Sequence, residues 1–221
     1  MLKEDGLDPR KEEGEGPNGR FAKSTGGFSE DPQVLALIRR VKGKDEAAFK
    51  ELVERYKTQV AALAFKMVGD YEDAKDISQI VFVKTFYNLK RFDPKKKFST
   101  WLFRITVNAA IDYWRRYKKH KHEDLDEAEE SPFEAGLTPE AVYFRKDATE
   151  RIKKALEILS PKQRSIFVLR DMEGLDITEV ATIMNMPPVT VRWYLHRARI
   201  RLRGELARKL KAAGASKKQV K

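Results

Sequence analysis

The chain has 221 residues, 41% of them hydrophobic and 36% charged, with a formal net charge of +11. It contains no cysteine and only three histidines, which excludes disulfides, thiol catalysis and cysteine-based metal sites and makes a histidine metal centre improbable. No apolar run approaches the ~18 residues of a membrane span, and no apolar signal core opens the chain, so a cytoplasmic protein with an acidic partner (nucleic acid, an anionic surface or an acidic protein) is expected.

Residues 1–32 are rich in Gly, Glu, Lys and Pro and read as a disordered tail. From Pro32 the pattern is helical. Phe49, Leu52, Val53, Tyr56, Val60, Leu63 and Met67 recur at spacings of three and four. Gly69 and Asp70 end that face, and a second helix from Tyr71 carries Ile77, Ile80, Val81 and Val83 or Lys84. "NLKRFDPKKKF" interrupts. A third helix starts at Ser99 or Thr100, either a plausible N-cap, and runs to about Lys119. On it Leu102, Ile105 and Ala109 share a side, which predicts that Trp101 and Phe103 are not both buried with them. Residues 123–140 hold eight Asp or Glu and no Lys or Arg, an acidic linker between two domains.

Beyond the linker, "RKDATERIKKALEIL" is predicted as one helix. "SPKQRSIFVLRDMEG" offers Ser160 as N-cap, Pro161 at the first helical position and Gly174 past the end. "DITEVATIMNM" and "PPVTVRWYLHRARIRLRGEL" follow as two more helices, and the last residues, from about Lys211, read as a frayed basic tail. No strand pattern occurs. The expected fold is all-α, with two small helical domains joined by a flexible acidic segment.

Positive charge is concentrated. Lys84 to Lys121 holds twelve Lys or Arg against two Asp, and Arg192 to Lys211 eight against one Glu. The second cluster lies in "ITEVATIMNMPPVTVRWYLHRAR", which has helix-turn-helix form. A short helix turns Val180, Ala181 and Met184 inward. A tight turn follows at Asn185 to Pro187, where Asn tolerates the left-handed conformation, and then a longer basic helix of the kind that enters the major groove. At about 100° per residue, Val191, Leu195, Ala198 and Leu202 form the core stripe of that helix. Trp193 falls about 200° from Val191, on the outward side with His196 and Arg197, and Tyr194 lies on the border. A Trp193 packed on another helix is the competing expectation.

The first cluster interleaves Phe92, Phe98, Trp101, Phe103, Tyr113, Trp114 and Tyr117 with Lys and Arg. Aromatic faces stack on unpaired bases while basic groups follow phosphates, a combination suited to single-stranded or melted DNA. Asp73 and Asp76 could suggest a metal site, but no third carboxylate converges in sequence, and a solvated or protein-contacting face is the better reading.

In order and content these stretches resemble the sigma factors of bacterial RNA polymerase, the sigma-70 class and its small extracytoplasmic function (ECF) group. The resemblance covers about residues 33–206. "DAKDISQIVFVKTF" resembles the helix that binds the clamp of the polymerase largest subunit. "RFDPKKKFSTWLFRITVNAAIDYWRR" resembles the promoter-melting, −10-reading segment of region 2. "LSPKQRSIFVLRDMEGLDITEVATIMNMPPVTVRWYLHRARIRLR" resembles the −35-reading region 4. By resemblance the domains are 33–120 for region 2, 121–142 for the linker and 143–210 for region 4, with a tail at 211–221. The same likeness assigns Asp73, Asp76, Gln79 and Phe82 to core polymerase. It assigns the loop Phe92 to Phe98, with Lys95, Lys96 and Lys97, together with Trp101, Asn108, Asp112, Arg115 and Arg116, to the −10 element and melting. Thr190, Arg192, Trp193, His196 and Arg197 fall to the −35 element. The implied partners are core RNA polymerase at clamp and flap, promoter DNA both duplex and melted, and, as for many members, an anti-sigma protein. No cofactor or metal is implied, and no enzymatic activity.

The sequence departs from the family at Ile80, where an acidic residue usually follows Gln79. It departs at Asn185, usually Gly, and at Val189, usually Gly before the Thr. Trp193 and Tyr194 stand where small and basic residues are usual, which predicts an atypical −35 preference. Two other readings compete. A helix-turn-helix activator such as a response regulator would share residues 143–206 but leaves the N-terminal half unexplained. A metal-dependent nuclease would need a carboxylate or histidine cluster.

Overall fold

The computed structural model describes residues 31–120 and 154–216, with side chains placed for 31–116 and 154–208. Every regular element among them is helical. Most of the tail 1–32, the linker 121–142 and most of the helix expected over 145–159 lie outside the described residues.

The N-terminal unit is a bundle of α1 (Pro32–Lys42), α2 (Glu46–Val68), α3 (Tyr71–Asn88) and α4 (Phe98–His120). Local chemistry sets the breaks. Asp45 and Asp70 cap α2 and α3, their carboxylates accepting from Ala48 N and Asp73 N at 3.0 Å each. Between α2 and α3, Gly69 takes φ 79°, a left-handed stop that a side chain would strain. The α2 stripe buries Leu52, Tyr56, Val60, Leu63 and Met67 as its spacing predicts. On α3 the buried set is Ala74, Ile77, Val81 and Thr85, while Ile80 and Val83 are 45% and 55% exposed. The sequence pattern counts Ile80 among the apolar positions of this helix and leaves Val83 or Lys84 open.

The C-terminal unit comprises α5 (Pro161–Phe167), a π-helical turn Val168–Met172, α6 (Ile177–Met184) and α7 (Pro188–Ser216). Ser160 caps α5 in a reciprocal box with Gln163, Pro161 opens the helix, and Gly174 has φ 76°. Residues 154–156 are helical ahead of it, and α7 continues to Ser216, past the expected fraying point near Lys211.

The two units pack against each other. Helix α4 lies on α2 and α3 on one side and on α5 and α6 on the other, and α2 touches the π turn. That placement buries Leu102, Phe103, Thr106, Val107, Ala109, Ala110 and Ile111 together, an arc far wider than one apolar stripe. Phe103 is therefore 3% exposed while Trp101 and Ile105 are half-buried.

Helix α6 opens with a second reciprocal box. Asp176 accepts from Thr178 N and Glu179 N at 2.7 and 2.8 Å, and its own N–H donates to Glu179 at 3.3 Å. Asp176→Ala should cost about 1 kcal/mol, read as a lower urea midpoint at unchanged slope.

Candidate nucleic-acid interface

The helix-turn-helix forms as its residues dictate. Asn185 adopts φ 52°, ψ 51°, and Met186 N donates to Ala181 O at 3.1 Å to close α6. Pro187 and Pro188 then start α7, Thr190 N and Val191 N both donating to Pro187 O. Ile183 joins Val180 and Ala181 in the core, and Met184 is half-buried. On α7, Val191, Leu195 and Ala198 are buried and Leu202 half-buried, as the wheel places them.

The opposite face presents Arg192, Trp193, His196 and Arg197, all exposed, with Thr190 half-buried. Trp193 is 52% exposed, and Tyr194 lies half-buried beside it, their rings edge to face at 4.9 Å. The Arg197 guanidinium stacks over the Trp193 ring, 5.2 Å from its centroid. Not all of the basic charge faces outward. Arg199 forms a two-bond fork with Asp171, at 2.9 and 2.6 Å, which holds its pKa above the usual value. Arg201 donates to Gln163 and to Ile158 O. These two arginines fasten α7 to its own domain. Because Trp193 is half exposed and its ring contacts are Tyr194 and Arg197 at the domain's outer side, Trp193→Ala should leave stability within about 0.5 kcal/mol of wild type in a thermal scan.

In the N-terminal unit, Phe92 and Phe98 are 3% and 1% exposed. Their rings meet each other at 5.5 Å and Trp101 at 5.4 and 5.7 Å, and Phe98 also meets Tyr56 at 5.2 Å. This corrects the expectation that both rings lie at a base-binding surface. The loop must anchor its two ends in the core, and the flanking phenylalanines are the anchors. What it presents is Asp93 to Lys96, all exposed, with Asp93 accepting from Lys95 N at 3.0 Å. Lys97 is half-buried. Along α4, Asn108, Arg115 and Arg116 are exposed and Asp112 half-buried.

Helix α3 has two different halves. Asp76 and Gln79, on its first half, are exposed and Asp73 is half-buried there; Phe82, past the midpoint, is half-buried. Ile80, Val83, Phe86 and Tyr87 then give its outer side an apolar stripe, with Tyr87 77% exposed.

Several side-chain pairs join the two units. Lys66 donates to Glu173 at 2.7 Å, Lys97 to Glu179 at 3.5 Å and Arg104 to Asn185 at 2.6 Å. The Glu173 side chain is only 1% exposed. Burial pushes its carboxyl up, and the Lys66 ammonium opposes that shift. Arg164 is 2% exposed and stacks on Trp114 at 4.9 Å, while Trp114 Nε1 donates to Met67 O. No nitrogen of the Arg164 guanidinium has a hydrogen-bond partner among the described residues, and burial pulls its pKa down to about 10. An unsatisfied buried cation opposes packing, so the joint is held by some groups and loosened by another. Beside it lies a cleft of about 470 Å³ where Asn108, Asp112 and Arg115 face Asn185, Thr190 and Tyr194.

A family model described as Sigma-70 region 2 matches residues 52–120, and one described as Sigma-70, region 4 matches residues 149–202. The ECF RNA polymerase sigma factor SigW of Bacillus subtilis is 32% identical over 180 residues, covering 78% of this chain and 96% of its own length. The chain belongs to the ECF sigma factors. The ECF RNA polymerase sigma-E factor of Escherichia coli K12 is 34% identical over 179 residues, covering 78% of this chain and 93% of that protein. The fold is similar to that of CnrH, solved in complex with the cytosolic domain of CnrY, at TM-score 0.59 and 24% identity over 79% of this chain and 97% of that one. It is similar also to RpoE of Bartonella quintana in complex with the anti-sigma factor NepR, at TM-score 0.56 and 23% identity over 72% and 96%.

A sigma factor is a transcription initiation factor and not an enzyme. It binds RNA polymerase and gives it promoter specificity. Among the described residues of this sigma factor, no helix is long and apolar enough to cross a membrane.

Proposed function

We propose that this sigma factor works through three faces, in domains spanning 33–120 and 143–210 joined by the acidic segment 121–142. The outer side of α3 binds core polymerase. Asp73, Asp76 and Gln79 supply the polar part of that contact, with Phe82 beside them. The stripe Ile80, Val83, Phe86 and Tyr87 supplies an apolar half, which accounts for an isoleucine where the family usually has an acidic residue. Lys95, Lys96 and Lys97, with Asn108, Asp112, Arg115 and Arg116, serve the −10 element and melting, and Trp101 supports them from the core edge. Thr190, Arg192, Trp193, His196 and Arg197 read the −35 element. The observation that carries this reading is α7, which buries Val191, Leu195 and Ala198 and turns Arg192, Trp193, His196 and Arg197 to solvent.

The −10 and −35 elements stand about 25 base pairs apart by name, about 85 Å of duplex. In the docked arrangement Asn108 and Thr190 line one cleft. One molecule cannot read both elements in that state, so initiation requires the two domains to separate. The site of action is the cytoplasm, where polymerase and promoters are. An anti-sigma partner is in keeping with the solved neighbours, one of which is held by NepR.

Purified protein with bacterial core RNA polymerase on genomic fragments, with transcript starts mapped, tests the reading. Core-dependent starts from a discrete promoter set are expected. Duplex binding by the protein alone, with no core-dependent initiation, would sink it.

A further inference from the structure

The aromatic that interrupts the basic face of α7 carries an inference about what that face reads. Trp193 is half exposed, opposite the core stripe, and its ring is held from one side by Tyr194 at 4.9 Å. Arg197, one turn further on, places its guanidinium carbon over that ring, 5.2 Å from the centroid. An arginine normally loses side-chain freedom when it binds. A guanidinium stacked on an aromatic face has lost much of it beforehand, while the edge of its fork still points away from the ring. That edge is the one that donates two parallel hydrogen bonds to guanine O6 and N7 in the major groove. Arg199 and Arg201, further along the helix, are engaged within the domain.

We infer that Trp193 is a specificity-determining positioning residue, holding Arg197 so that it reads one guanine of the −35 duplex. The inference rests on α7 being the −35 reader. Trp193 then acts through Arg197, and the pair works as a unit. Loss of Arg197 removes discrimination at that base pair, and loss of Trp193 weakens it at the same one. A stacked fork that recognises guanine also explains how a helix with tryptophan and tyrosine in its centre retains a hydrogen-bonding reader at all.

The test uses the full chain with bacterial core RNA polymerase. It selects from a pool of promoter-length duplexes whose upstream bases are randomised, and base preference is read at every position. Wild type should select a guanine at one upstream position by at least about fivefold over other bases. Arg197→Ala should abolish that preference, and Arg197→Lys should weaken it, because an ammonium can reach guanine but cannot form the planar fork. Trp193→Ala should reduce preference at the same position at least about threefold, with preferences elsewhere kept, and Trp193→Phe should recover part of it. Two results overturn the inference. In one, Trp193→Ala weakens retention uniformly across sequences. In the other, Trp193→Ala and Arg197→Ala alter different positions. If wild type with core selects no sequence at all, the assignment of α7 to the −35 element fails first and the inference with it.

Discussion

Phe98→Ala should destabilise the N-terminal bundle by about 3–5 kcal/mol, the cost of emptying a buried aromatic site. For a unit of this size that lowers the melting temperature by at least about 12 °C. Phe98 is 1% exposed and sits where Tyr56, Phe92 and Trp101 converge, each ring within 5.7 Å of it. The same ring, read from sequence, looks like a base-stacking aromatic next to a lysine triplet. The two roles separate cleanly in measurement. A core role lowers the thermal midpoint of the free protein in the absence of DNA. A stacking role leaves that midpoint alone and slows formation of the open promoter complex. The exposed Lys96, two residues away, should behave in the opposite manner to Phe98: stability within about 0.5 kcal/mol when replaced by Ala, and a shallower salt dependence of promoter binding by about one phosphate contact.

The second large effect is at the joint between the domains. Lys66→Glu sets a carboxylate against Glu173, whose side chain is 1% exposed. Breaking a buried pair costs about 3–5 kcal/mol. Lys66 retains 28% exposure, so about 2–3 kcal/mol is expected here, a shift of roughly 30–150-fold from docked to open. The chain has no cysteine, so Lys50→Cys and Arg203→Cys give unique dye positions for energy transfer. The variant should show a longer distance than wild type, and combining Lys66→Glu with Glu173→Lys should restore the short one. An unchanged distance in Lys66→Glu would mean that the pair does not hold the joint.

Acidity acts on the same carboxylate with a definite sign. In the docked form burial raises the Glu173 pKa above the ordinary 4.5, so that form binds protons more readily than one in which the carboxylate is solvated. Docking therefore strengthens as pH falls through the raised pKa, and the gain levels off below about 4.5. Glu173→Gln should remove that dependence from the energy-transfer signal.

Where sequence and structure agree, the determinants are close together in the chain. Ser160 caps its helix by reaching a backbone amide three residues on, whereas Ser99 and Thr100, the expected caps of α4, lie inside that helix, which begins at Phe98. Asn185 takes the left-handed turn that its short polar side chain tolerates. The wheel on α7 separates Trp193 from Tyr194 because 3.6 residues per turn is fixed by the backbone. These features needed no partner. The helix-turn-helix, the outward recognition face and the order of the two domains were thus legible in the residues alone.

The tertiary structure decided what depends on a second surface arriving from far along the chain. Helix α4 looked one-sided, and it is covered on two sides because α5 and α6 pack where solvent would otherwise be. Phe92 and Phe98 went to the core because a loop with lysines at its tip can be anchored only by its apolar ends. Ile80 and Val83 were left outside because α2 and α4 cover the Ile77 and Val81 side of α3. Lys66 and Glu173 are 107 residues apart, and an ion pair at that separation leaves no periodicity to read. Sequence set the helices, their caps and the direction each face could point. Which faces were then covered, and so which charges remain for DNA, is a property of long-range packing, since burial belongs to two surfaces and each segment encodes only one.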